Sequence, residues 1–180
     1  MNQTWVYAEL CLSQACPLTF LTRKDDAPMT APIAEVPLSA DKLVFVVPFP
    51  GVAASMVFDA WIYPDLLARW WSPAAHRDPR VGGAYALLWP DDGWALRGQY
   101  TAFEPGRKLG FTWRWDEDTP DIPTTQVELA LDPLAGGGTQ LTLTHGVYNG
   151  STTGQKLRAS HREGWLHFLP QLQSLFAPPS

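Results

Sequence analysis

Two histidines, His145 and His161, are the residues whose type and spacing best suit chemistry. From Gln140 to Tyr148, Leu141, Leu143, His145 and Val147 alternate with Thr142 and Thr144, so His145 shares its side of a strand with apolar neighbours. At about 100° per residue, His161 falls in the same helical sector as Leu157 and Trp165. Both rings are therefore expected inside. An inward pair could hydrogen-bond a ligand's carbonyl or phenol, or act as acid and base near neutral pH. The plainer reading is structural, because a semi-buried histidine usually needs just one protein partner.

Around that pair the chain is rich in large rings, with nine tryptophans in 180 residues. Trp70, Trp71, Tyr85, Trp89, Trp94, Tyr100, Trp113, Trp115 and Trp165 could line a ligand site, since such sites are mostly apolar with few polar anchors. They could equally fill a core. The carboxylates Asp116, Glu117, Asp118 and Asp121 form an acidic loop, expected as a solvated face, with a pocket rim or a partner surface as the alternatives. Arg114, opposite in parity to Trp113, should face solvent.

Other chemistries lack their motifs. His76, His145, His161 and His167 do not show H-E-x-x-H spacing, and the two cysteines, Cys11 and Cys16, lie far from them, so no metal site is expected. No G-x-S-x-G elbow occurs. Neither a P-loop nor a G-x-G-x-x-G fingerprint is present, so no nucleotide cofactor is expected. Gly82, Gly83 and Gly98 suit sheet bending and close helix approach better than phosphate binding. A net charge of -5 and a pI near 5.2 argue against nucleic acid and anionic membranes as partners. No apolar run reaches the length of a membrane span. Two cysteines make no disulfide framework, so a reduced, cytoplasmic setting is the expectation.

The elements that must position these residues can be read in order. Residues 1–40 hold a short apolar stretch, Trp5 to Leu12, with no basic region before it, and then Pro17, Pro28, Pro32 and Pro37. This part is expected to be an N-terminal extension, flexible or partly ordered, and Met29 could be the real start. Leu43 to Phe49 reads as a first strand. Met56 to Ile62 reads as a short helix capped by Ser55, and Pro64 starts a second with Asp65 in its first turn. Ser72 to Pro79 reads as a loop. Strands are then predicted over Val81 to Trp89, Trp94 to Phe103, Leu109 to Trp115, Gln126 to Leu131 and Gln140 to Tyr148, with short turns that make neighbours antiparallel.

Gln155 to Phe176 closes the chain as an amphipathic helix. Leu157, His161, Gly164, Trp165, Phe168, Leu172, Leu175 and Phe176 share one sector, while Arg162, Glu163 and His167 point elsewhere. Pro170 lies opposite the stripe and is expected to bend the helix toward the sheet. A stripe of that breadth needs a concave cover. The order β, α, α, β-meander, α supplies one: an α+β fold with a curved antiparallel sheet under a long final helix.

The same residues carry a family resemblance. Val57-Phe58-Asp59-Ala60-Trp61, Pro64 to Trp71, Arg80-Val81-Gly82-Gly83, Phe111-Thr112-Trp113, Gly138 to His145 and His161-Arg162-Glu163-Gly164-Trp165 resemble, in order, the signature of SRPBCC proteins of the activator-of-Hsp90-ATPase-homologue type. The resemblance runs from Asp41 to about Ala177, which puts the domain at 41–178. It implies a START-like helix-grip fold, in which the sheet wraps the C-terminal helix and two short helices close one end. Tyr63 stands where the family often has a helix-capping Asp, and Pro170 interrupts the final helix. The leading functional expectation is a binding module for a small hydrophobic or aromatic ligand between sheet and helix. Alternatives are a partner-binding protein like the Hsp90 activators, and an enzyme like the polyketide cyclases and aromatases with His145 and His161 as acid and base. A homodimer or a protein partner is compatible with each.

Overall fold

The computed structural model describes residues 32–177. The stretch Trp5 to Leu12, both cysteines, Pro17, Pro28 and Met29 lie outside the described residues.

The β-branched and aromatic runs form eight strands. They are β1 (Ala34–Glu35), β2 (Lys42–Pro50), β3 (Ala74–Arg77), β4 (Ala84–Trp89), β5 (Trp94–Glu104), β6 (Lys108–Trp115), β7 (Thr125–Pro133) and β8 (Gly138–Gly146). They make one antiparallel sheet in the order β1-β2-β8-β7-β6-β5-β4-β3. The meander is thus continuous from β3 to β8, and the first long strand joins it beside the last. Three helices complete the chain: α1 (Ala54–Asp59), α2 (Pro64–Leu67) and α3 (Thr152–Ser174). Sheet and final helix have the helix-grip arrangement expected from the sequence. Among the described residues, no helix is long and apolar enough to cross a membrane.

Four local expectations need correction. Ser72 to Pro79 is not all loop, because β3 pairs with β4; the Ser72 hydroxyl shares its one proton between the carbonyls of Ala74 and Leu88 and accepts from Leu88 N–H. Four short, weakly β-prone residues gave no run to read. Ser55 does not cap α1, which starts two residues before the expected Met56, with Ala53 at its N-cap and no side-chain bond. The last helix begins at Thr152 rather than Gln155, because the Ser151 hydroxyl accepts from Gly154 N–H at 3.0 Å and supplies the cap. Gly98 serves close approach by the sheet, not by a helix: a Cβ there would meet the Thr112 carbonyl and the Tyr85 ring.

The inward parity of the long strands holds. Leu43, Phe45 and Val47 on β2, Leu109, Phe111 and Trp113 on β6, and Leu141, Leu143 and His145 on β8 are buried. Across them lies α3, with His161, Trp165, Leu169 and Leu172 buried and Pro170 on its exposed side. The helix is pinned at several points. Arg158 donates to the Lys42 carbonyl, Gln173 donates to the Pro48 carbonyl, and Arg162 pairs with Glu35 of β1 at 2.8 Å. Phe176 meets Phe49 edge to face at 5.6 Å. At one end α1 and α2 close the sheet, bringing Trp61, Trp70 and Trp71 into mutual contact over Phe111.

Candidate functional site

The chemistry of this interior starts with protons. His145 comes from β8 and His161 from α3, and their rings stack with centroids 4.3 Å apart and 14° between planes. Trp165 Nε1 lies 3.0 Å from His145 Nδ1. An indole N–H can only donate, so Nδ1 must be bare and the proton sits on Nε2. Nε2 is 2.8 Å from the Thr125 hydroxyl, which accepts it. With 0% of its surface exposed and both nitrogens used, His145 is a structural post. Burial holds its pKa well below the ordinary histidine range, and neighbouring His161 pushes the same way.

His161 differs in one atom. Its Nδ1 is 2.8 Å from the Tyr148 hydroxyl. Burial raises the pKa of that phenol strongly, so it keeps its proton, and since its O–H has no other acceptor among the described residues it donates to Nδ1. The remaining proton of a neutral His161 then sits on Nε2, which has no hydrogen-bond partner among the described residues. Burial lowers the pKa of His161 to about 4. At neutral pH the site holds two uncharged, stacked imidazoles, one fully engaged and one with a spare N–H.

His161 is also the histidine that borders a cavity. About 380 Å³ of space opens between α3 and the tips of β4, β5 and β6, within the usual size range for small-molecule sites. Trp113 and Trp165 form its inner wall with rings 5.3 Å apart, and Trp71 stacks on Trp113 at 5.7 Å. Nearer the mouth, Trp115 packs on Trp89 at 5.5 Å, and Trp94 sits opposite Trp89 across the hairpin with 53% of its surface exposed. From α3 come Ser160, Gly164 and Phe168. Gly164 leaves the wall open, since a Cβ there would find no atom within 4 Å.

Two carboxylates complete the rim, Glu117 and Asp118 of the β6–β7 loop. Arg114 holds this loop in place. Its guanidinium donates to the carbonyls of Ile122, Asp118 and Thr119 at 2.8, 3.2 and 3.1 Å. Asp118 is itself tied, accepting from Trp115 N–H at 2.9 Å, while the Glu117 side chain has no partner among the described residues. The outward parity of Arg114 therefore serves the rim from behind.

The eleven residues singled out from sequence divide here. Trp71, Trp89, Trp94, Trp113, Trp115, His161 and Trp165 border the cavity. Trp70 does not; it is core, and its N–H donates to the Ala60 carbonyl at 2.9 Å. Tyr85 and Tyr100 pack on each other at 5.6 Å, in a layer beneath α2 where the Tyr85 hydroxyl donates to the Thr112 carbonyl. His145 stands behind His161. Tyr148 and Thr125 are functional neighbours that sequence reasoning passed over. Tyr148 lies past the end of β8, where strand parity gives no direction, and Thr125 begins β7 as one polar residue among several. A larger, shallow depression of about 810 Å³ lies on the outer face of the sheet, but its walls mix both charge signs, with Arg97 and Asp116 paired at 2.9 Å. The smaller cavity has the coherent lining. Among the described residues, no group of three His, Cys, Asp or Glu side chains could hold a metal ion.

Residues 52–177 match the family described as Activator of Hsp90 ATPase homolog 1-like protein. No curated protein matches the chain. Several solved structures share its fold. Protein CV1439 from Chromobacterium violaceum is 25% identical with a TM-score of 0.60, over 78% of this chain and 100% of its own. DynU16, from the dynemicin biosynthetic locus, is 22% identical with a TM-score of 0.63, over 76% of this chain and 47% of its own. The Aha1 dimer from Colwellia psychrerythraea is 16% identical with a TM-score of 0.62, over 76% of this chain and 96% of its own.

Proposed function

The chain belongs to the family of Activator of Hsp90 ATPase homolog 1-like proteins, and from that premise we propose that it is a binding module holding a small, largely apolar or aromatic molecule between sheet and final helix. The observation that carries this reading is the cavity of about 380 Å³ bordered by six of the nine tryptophans, with His161 as its inner polar anchor. Flat rings on several sides suit a flat or compact apolar guest, and the unpartnered N–H groups of His161 and Trp113 suit an acceptor atom on it. The domain proposed is 41–178, in a cytoplasmic setting.

Binding is favoured over turnover by the state of the two histidines. An acid–base pair needs two nitrogens that can reach a substrate, and His145 has none to spare. A cyclase-like activity would fall to His161 alone. Chaperone binding or a homodimer, as in the Aha1 dimer named above, would use the outer surface, where Val147 and Leu166 are exposed apolar residues.

Native mass spectrometry of gently purified protein, with a solvent-extracted control, tests the reading alongside tryptophan-emission titrations with small aromatic probes. A retained species that extraction removes, or saturable quenching, is the expected result. Absence of both would overturn it.

A further inference from the structure

The lining of the cavity is one-sided in charge. Glu117 and Asp118 stand at its mouth, and among the described residues no Lys or Arg borders it. His161 adds no positive charge at neutral pH, because burial keeps it deprotonated. The walls are indole rings, whose negative faces attract cations more strongly than those of Phe or Tyr. The carboxylates are not simply paired off among themselves or with nearby cations. Arg114 reaches their loop only through backbone carbonyls, and the Glu117 side chain is left without a partner. His161 is buried to 6% exposure with Nε2 unpartnered, a second sign that the interior is built for a guest.

Resting on the cavity reading above, we infer that the guest is an organic cation: an ammonium or quaternary ammonium group carried on an aromatic or apolar body that also bears one acceptor atom, such as a phenol oxygen, for His161. The apolar body would lie against Trp113 and Trp165. Its charged head would sit toward Trp115, Trp94 and the carboxylate of Glu117. An anionic guest would meet two like charges and no counter-charge, and a neutral one would leave the rim unused.

The test compares (3-hydroxyphenyl)trimethylammonium with its neutral isostere 3-tert-butylphenol, which has the same shape and the same hydroxyl acceptor but no charge. Both are titrated into the full chain and followed by tryptophan emission and calorimetry. The cation should bind at least tenfold more tightly, a difference of about 1.4 kcal/mol. Glu117→Gln, at an exposed position, should erode that preference several-fold without changing the neutral compound's affinity. Equal binding of the two, or tighter binding of the neutral one, overturns the cation assignment and leaves the apolar pocket standing. A preference untouched by Glu117→Gln overturns the role given to the rim. Failure of both compounds to bind, or binding that persists when Gly164→Leu fills the space, overturns the cavity reading as well.

Discussion

His145 and His161 stack ring on ring at 4.3 Å, yet Trp165 and Thr125 take both nitrogens of the first while Tyr148 takes only one of the second. Two residues that look alike in sequence thus have different parts. One orients the wall of the cavity, and the other is left with a free donor beside it.

Stability should fall on mild acidification. The unfolded chain binds a proton at His161 with the ordinary value near 6.5, whereas the folded chain resists until about 4. Above pH 6.5 neither state is protonated and stability is whole. Between pH 6.5 and 4 the unfolded state gains protons first, so the folded state loses on the order of 3 kcal/mol. His145, lowered by the same burial, adds loss in the same direction. Urea unfolding at pH 7.5 and pH 4.5 measures it, and equal midpoints would contradict the burial of these rings as neutral groups.

His145→Ala should cost stability first. It strands the Trp165 N–H and the Thr125 hydroxyl in a dry interior and leaves a void, together about 2–4 kcal/mol. His145→Gln, which can both accept and donate, should recover part of that loss. Thermal unfolding of the two variants checks the order, and no recovery in the Gln variant would argue that packing, not hydrogen bonding, dominates at this position.

Much of this arrangement was legible in the sequence. Parity placed Leu141, Leu143 and His145 on one side of a strand, and helical phase placed His161 and Trp165 over them; both follow from fixed side-chain periods. Which rings would border a cavity was not legible. Trp70 and Trp71 are adjacent, yet one is sealed against the Ala60 carbonyl and the other reaches the cavity. Tyr85 and Trp89 share a strand and a parity, yet α2 covers the first and leaves the second at the hairpin end. Periodicity reports which side a residue faces, not how far along the sheet another element reaches. Tyr148 was missed for a related reason: beyond the last ladder pair, alternation carries no information.

Gly164→Leu should separate binding from folding. The position is inside α3, where Gly costs about 1 kcal/mol relative to a good helix former. A new side chain would enter open space rather than clash. The variant should therefore unfold at a higher temperature than the parent while losing probe binding. Differential scanning calorimetry with a tryptophan-emission titration reads both, and a destabilised variant would mean that the space beside Gly164 is not open in solution.

Arg114→Met tests how far the rim depends on support from the outer face of β6. The guanidinium satisfies three loop carbonyls that Met cannot, while the stem still covers the strand. Those carbonyls can turn to water, so the global cost should stay near 1 kcal/mol. Locally the effect should be larger, because residues 116–123 would lose their common anchor and Asp118 would hold the Trp115 N–H alone. Hydrogen exchange should accelerate in that loop and at Trp115 but not in β7 or β8. Probe affinity should drop several-fold as Glu117 loses its fixed position. Faster exchange with unchanged affinity would show that the tryptophan walls, without an ordered rim, are enough to hold the guest.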